Sequence, residues 1–246
     1  VVGWVSSDVK PHPVSFLMLE MYRAFDRSSF SSVCYATNAD DGSAQRAAHA
    51  AACDVFVDAS GMGDAELAQK IRADGVHVLV ELNGYTQGDR MSMLALRPAP
   101  VQVSFLGYSG TLGADFIDYV VVDRVVAPPS LRATWHEKLI VLPGSFFVNS
   151  YSKSHPQVPA RPPPRTRGEV GLPEDAFVFC SFNHLYKTDP EVFAAWAGAL
   201  ARAPASVLWL SRGRTTAGNA AAAEPRLRAE AAAAGVPPSR VVITDS

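Results

Sequence analysis

Short apolar runs rich in β-branched residues alternate along the chain with segments in which apolar side chains recur every three or four positions. The runs at residues 1–5, 32–37, 55–57, 76–82, 101–106 and 117–122 predict strands. Between them the spacing predicts helices over 13–25, 43–52 and 64–73. In the first of these helices Leu17, Met18, Met21, Tyr22 and Phe25 form one apolar face. The strand runs are apolar throughout rather than alternating, which fits strands covered on both faces. The pattern therefore predicts a parallel sheet with helices on either side.

After Leu142 the alternation stops, and Pro156, Pro159, Pro162, Pro163 and Pro164 lie among polar residues. Such a stretch reads as a semi-rigid linker. Alternation resumes with strands at 177–182, 207–210 and 241–244 and helices at 190–203 and 217–234. The expected organisation is a first α/β domain at 1–149, a proline-rich linker at 150–167, and the first part of a second α/β domain at 168–246. The chain starts inside a strand and stops just after one, which predicts a piece of a longer protein.

Composition narrows the classes. Of 246 residues 48% are hydrophobic and 19% charged, an ordinary globular balance, and the formal net charge of -2 offers no broad cationic face for nucleic acid. No apolar run is long enough to span a bilayer. Cys34, Cys53 and Cys180 are too few and too scattered for a disulfide framework, so reduced, packed thiols and a reducing compartment are expected. The six histidines have no metal-ligand spacing; His77 reads as a core residue, and His49, His136 and His155 as surface or linker residues.

In open parallel sheets ligands sit beyond the carboxyl ends of the strands. The loop after the first strand holds Asp8, His12 and Pro13, with proline suited to the first turn of the next helix. His12 and Asp8 either do proton chemistry there or merely cap the helix. Asn83-Gly84-Tyr85-Thr86 and Leu106-Gly107-Tyr108-Ser109-Gly110-Thr111 follow later strands. The glycine spacing of the second is not a dinucleotide fingerprint, and a tight turn explains it equally well. In the second domain Phe182-Asn183-His184-Leu185-Tyr186-Lys187-Thr188-Asp189-Pro190 joins a strand to a helix capped by Asp189. Lys187 and the first amides of that helix suit a diphosphate; a solvated lysine at a helix start is the alternative.

Taken together, Gly3-Trp4-Val5-Ser6-Ser7-Asp8, His12-Pro13, Asn83-Gly84-Tyr85-Thr86, Leu96-Arg97-Pro98-Ala99-Pro100-Val101-Gln102, Leu106-Gly107-Tyr108 and Phe182 to Lys187 resemble the catalytic region of the protein O-linked N-acetylglucosamine transferases, from the first residue to the last. The resemblance implies two Rossmann-like lobes of a B-fold glycosyltransferase. It implies inverting, metal-independent transfer of N-acetylglucosamine from UDP-N-acetylglucosamine to Ser or Thr hydroxyls of intracellular proteins, with no cofactor. By the same likeness Lys187 holds the diphosphate, His12 and Asp8 lie beside the donor sugar as candidate bases, and Pro13, Leu106, Gly107, Tyr108, His184 and Tyr186 contact the donor. Tetratricopeptide repeats, protein acceptors, no membrane or nucleic-acid partner, and a cytoplasmic location (also nuclear in a eukaryote) are implied as well.

Val14, Phe16 and Ser109 depart from the residues usual in animal members, and the short linker lacks their large insert. The uridine pocket and the repeats are expected outside these residues, so the isolated chain is expected to be inactive. Two rival readings remain: a Spindly-type O-fucosyltransferase using GDP-fucose, and a noncatalytic scaffold.

Overall fold

The computed structural model describes residues 1–154, 166–212 and 217–245, with the side chains of Ser154, Tyr186 and residues 217–221 outside the description. Contacts divide the chain into two units, Val1–Val158 and Pro159–Ser246. Much of the proline-rich stretch expected as a linker, residues 155–165, lies outside the described residues.

The first unit is built on a seven-stranded, all-parallel sheet in the order β3-β2-β1-β4-β5-β6-β7. The strands are β1 (Val2–Ser6), β2 (Ser32–Ala36), β3 (Val55–Asp58), β4 (Val78–Glu81), β5 (Val101–Ser104), β6 (Tyr119–Asp123) and β7 (Lys138–Leu142). Helices α1 (Pro13–Arg23), α2 (Ala44–Ala52), α3 (Asp64–Ala73) and α4 (Met91–Ala95) connect the early strands, and a short α5 (Tyr151–Ser154) follows β7. The order reverses between β1 and β4, so the chain leaves their carboxyl ends in opposite directions and opens a crevice there.

Burial follows from the apolar runs. Every residue of β2 is buried, and separate apolar clusters pack the two faces of the sheet. On one face Leu17, Met18 and Tyr22 of α1 pack with Trp4 and Val80, with Met21 and Phe25 at the margin. Leu67 and Ile71 of α3 and Leu79 are fully buried on the other. Each such side chain contributes roughly 1.5–3 kcal/mol of transfer free energy.

Four readings from the sequence need correction, the first being Cys180, expected as a packed thiol but exposed on β8 of the second unit, Phe177–Ser181. Cys34 and Cys53, expected as reduced thiols, form a disulfide across a Cα–Cα distance of 6.2 Å. The parallel pairing of β2 with β3, which sets Cys34 opposite Phe56, returns the end of α2 to β2 although the cysteines are 19 positions apart. The cysteines therefore lend no support to a reducing compartment. His49, expected at the surface, is buried under α1, where Nε2 lies 2.8 Å from Ser15 Oγ and 2.9 Å from its carbonyl oxygen. Burial holds its imidazole below the ordinary histidine value. His77, expected in the core, precedes β4 and is exposed. His155 lies outside the described residues.

The second unit has a parallel sheet in the order β10-β9-β8, built from β8 (Phe177–Ser181), β9 (Ser206–Ser211) and β10 (Val241–Thr244). It is joined by α6 (Pro190–Arg202) and α7 (Ala217–Ala233). Phe193, Ala197 and Leu200 of α6 pack with Leu208, Leu210, Val241 and Ile243. Among the described residues, no helix is long and apolar enough to cross a membrane.

Candidate functional site

Two asparagines shape the loop that leaves β1. Ser7 donates its backbone N–H to Asn83 Oδ1 (2.9 Å), and Val9 donates its own to Asn38 Oδ1 (3.1 Å). Asn83 follows β4 and Asn38 follows β2, so side chains from both flanking strands clamp the loop from Ser7 to Val9. The clamp sets the Asp8 carboxylate, which is almost wholly buried. Asp8 Oδ2 accepts from Asn83 Nδ2 (3.0 Å) and lies 3.5 Å from His12 Nδ1, while Asp8 Oδ1 lies 3.7 Å from Lys10 Nζ.

His12 is the N-cap of α1, with Pro13 at the first helical position. Its Nδ1 faces two groups, the Asp8 carboxylate and the Val14 N–H at 3.4 Å. With a proton on Nδ1, the ring points it at Asp8 and keeps an open lone pair on Nε2. Without that proton Nδ1 accepts from Val14, and Nε2 carries the hydrogen. Both contacts are long, so the ring can change between these states without rebuilding the loop. Sequence alone left base and cap as alternatives, and the geometry accommodates both: His12 caps α1 weakly and also pairs with a carboxylate at the sheet's reversal point.

Glu81 was missed in the sequence. It ends the otherwise apolar β4, and its carboxylate is buried. Oε2 accepts from Gly84 N (2.6 Å) and Asn83 N (3.1 Å), and Oε1 from Ser104 Oγ (2.5 Å). It therefore ties the turn after β4 to β5. Burial raises its affinity for a proton, although the three hydrogen bonds favour the anion. The folded chain thus takes up this proton more readily than the unfolded chain does. Glu81's contribution to stability is fully present below the ordinary carboxylate range and declines as pH rises from that range through the raised value. Glu81→Gln keeps an acceptor for both amides and a donor for Ser104 without the charge. Urea midpoints measured from pH 4.5 to 8 should show the Gln variant gaining on the wild type as pH rises. A constant difference between the two would refute the assignment.

Beyond β5 the chain turns sharply. Gly107 donates to Phe105 O (2.8 Å) across Leu106, which has φ +68°. This is a γ-turn of the strained hand, a conformation that surrounding structure must hold in place. The Leu106 side chain packs into the core, which leaves its backbone and Gly107 at the strand exit. Tyr108 seats the neighbouring turn: it covers Gly84 (φ +56°) and meets Tyr85 edge-on at 5.6 Å. Tyr85 donates to Leu112 O (2.6 Å).

The end of the glycine-rich loop that follows is tied down internally. Buried Glu137 accepts from Thr111 Oγ1 (2.7 Å), Leu112 N (2.7 Å) and Gly113 N (3.1 Å). These bonds fit the tight-turn explanation for Thr111 to Gly113. Arg97, in a left-handed conformation after α4, donates to Phe116 O, Pro100 O and the Asp118 carboxylate, so it fastens the entry to β5. Asp8, His12, Pro13, Leu106, Gly107 and Tyr108 thus lie on loops leaving the carboxyl ends of β1 and β5, flanking β4.

In the second unit Lys187 is exposed at the end of a 3-10 turn, Leu185–Lys187, which buried Leu185 anchors. Lys187 N–H donates to His184 O (2.9 Å). His184 opens the same turn, and the side chain of Tyr186 lies outside the described residues. Asp189 caps α6 by accepting from Val192 N (2.7 Å), and its carbonyl accepts from Phe193 N (3.0 Å). Pro190 has no N–H. The group of open amides expected at this helix start therefore reduces to that of Glu191, because the capping carboxylate takes one donor of the first turn. No group of three or more histidine, cysteine or acidic side chains among the described residues is placed to hold a metal ion.

The profile of glycosyl transferase family 41 matches residues 1–162 and 152–246. The chain is 41% identical over 244 residues to an Arabidopsis thaliana protein named "Probable UDP-N-acetylglucosamine--peptide N-acetylglucosaminyltransferase SEC", covering 99% of this chain and 24% of the relative. It is 34% identical over 212 residues to a Petunia hybrida protein carrying the same enzyme name with the designation SPINDLY, covering 85% of this chain and 22% of that one. A solved Thermobaculum terrenum O-GlcNAc transferase superposes with a TM-score of 0.81 at 29% identity, over 99% of this chain and 44% of its own. The chain therefore spans about a quarter of the curated relatives' length. A B-fold glycosyltransferase architecture accounts for both parallel sheets. With a family profile matched along its whole length and a plant relative 41% identical, this chain belongs to glycosyl transferase family 41.

Proposed function

We propose that the intact protein is an inverting, metal-independent protein O-GlcNAc transferase and that this chain is part of its catalytic region. The carrying observation is the Asp8–His12 pair at the point where the strand order reverses, held by Asn83. In the proposed reaction a Ser or Thr hydroxyl oxygen attacks C1 of N-acetylglucosamine from the face opposite the phosphate. The C1–O bond breaks, UDP departs, and the hydroxyl proton passes to a base of the Asp8–His12 pair. Lys187, with the α6 start beside it, meets the charge that develops on the leaving diphosphate.

Pro13, Leu106, Gly107, Tyr108, His184 and Tyr186 are the proposed donor contacts, within lobes at 1–149 and 168–246 joined through 150–167. UDP-N-acetylglucosamine is the proposed donor, and no cofactor takes part. Tetratricopeptide repeats, protein acceptors and a cytoplasmic location (also nuclear in a eukaryote) belong to the same proposal. Support for the donor comes from the names of the relatives, which state a UDP-N-acetylglucosamine-dependent activity for SEC and SPINDLY alike.

Incubating the intact protein with an acceptor peptide and either UDP-N-acetylglucosamine or GDP-fucose tests the reading. Transfer of N-acetylglucosamine, inhibited by UDP well below the GDP concentration needed, is expected. Fucose transfer would overturn the donor assignment, and no transfer with either donor would leave the scaffold reading standing.

A further inference from the structure

We propose that Asn83 is a positioning residue for the transfer, fixing the Asp8 carboxylate against His12; this rests on the transferase reading above. The orientation of its amide follows from its partners. Ser7 N–H can only donate, so the atom 2.9 Å from it must be Oδ1. Nδ2 therefore faces Asp8 Oδ2 at 3.0 Å and Ser7 Oγ at 2.8 Å, with Thr86 Oγ1 at 3.5 Å. The one amide thus accepts from the loop backbone and donates to the carboxylate.

Asn83 is itself immobilised. It is buried, its N–H is held by Glu81 Oε2 (3.1 Å), and its carbonyl accepts from Thr86 Oγ1 (2.8 Å) and Thr86 N (3.3 Å). Ser7 Oγ, its second acceptor, donates to Gln87 O (3.1 Å), and a side chain at Gly88 would collide with Ser7. The amide is thus a fixed donor on an oxygen that also faces His12 Nδ1. Without it, the contacts of the Asp8 carboxylate among the described residues are two long ones, Lys10 Nζ at 3.7 Å and His12 Nδ1 at 3.5 Å. Both of those side chains are more than a third exposed.

Asn83→Asp is nearly isosteric and still accepts from Ser7, but it replaces the donor with a second carboxylate. The charged groups around Asp8 are then Lys10, His12 and the new carboxylate, with Glu81 behind Asn83 and Asp89 acting on Glu81. Two carboxylates within hydrogen-bond distance resist joint ionisation, so the pair titrates higher than Asp8 alone.

In the intact enzyme, Asn83→Asp should lower kcat about tenfold to a hundredfold at neutral pH. KM for the donor and UDP affinity should stay within about twofold, and the acid limb of the kcat/KM profile should move up by about one pH unit. A second variant, Asn83→Ala, should lower kcat similarly. An unchanged kcat, or a fall in kcat with an unmoved acid limb in Asn83→Asp, overturns the proposal. NMR of the His12 imidazole at neutral pH separates this from failure of the transferase reading, because it needs no turnover. Its ring signals should move in Asn83→Asp relative to wild type as the Asp8 carboxylate is displaced from Nδ1, and unmoved signals also overturn the proposal.

Discussion

Replacing Lys187 with alanine is expected to lower kcat of the intact enzyme about 10²- to 10³-fold, the typical cost of removing one preorganised donor to developing charge, ~3 kcal/mol. Its ammonium is solvent-exposed and its turn is closed by backbone, through Lys187 N to His184 O and Thr188 N to Leu185 O, so the fold should persist. The loss should be larger in kcat than in acceptor binding, because charge on the diphosphate grows as the C1–O bond breaks. Steady-state kinetics with saturating peptide, alongside the thermal melting curve, make the measurement. Undiminished transfer by a folded Lys187→Ala enzyme would remove the lysine from the mechanism.

Adding one methyl group at Gly107 is expected to do more structural damage than the same addition at any other glycine of the first unit. A Cβ there would lie 1.8 Å from Leu82 O, 2.7 Å from Leu82 C and 3.3 Å from Asn83 Cα. All three are backbone atoms at the exit of β4 and cannot swing away as a side-chain tip would. Either the γ-turn at Leu106 or the Glu81-anchored turn must shift, so Gly107→Ala should cost roughly 3 kcal/mol or more of stability and abolish transfer. Gly110→Ala is the control, since its added carbon would come no nearer than 3.4 Å, to Tyr108 Cε1. Urea denaturation of both variants checks this; matching midpoints would show that the β4 and β5 exits can part at little cost.

Much of the fold could be read from the chain because its signals are local. Continuous apolar runs such as 32–37 marked strands buried on both sides, and the spacing of Leu17, Met18 and Tyr22 marked the buried face of α1. What escaped notice was short or peripheral. β7 lies at the sheet edge with Lys138 and Ile140 exposed, and α4 has only five residues. The site was legible where residues cluster in sequence, as with Asp8, His12 and Pro13. It was illegible where function depends on partners brought together by strand pairing. Glu81 looks like the polar end of an apolar strand until Ser104 is placed beside it in β5. Asn83 likewise gains a role only because β4 pairs with β1. The disulfide failed for the same reason, since no sequence spacing announces that the end of α2 returns to β2.

The pairing of β1 with β4 has a further consequence for biosynthesis. Asp8 and Asn83 are separated by 75 positions, and β1 becomes an interior strand only once β4 has been made. At ordinary elongation rates that interval lasts about 4–15 s. Once Ser32–Ala36 has been made, the ribosome-bound chain can pair β1 with β2 on one side while its opposite edge stays open, an apolar template for other nascent chains. The same topology that converges two distant loops on one carboxylate therefore leaves an apolar strand edge uncovered during this stretch of translation.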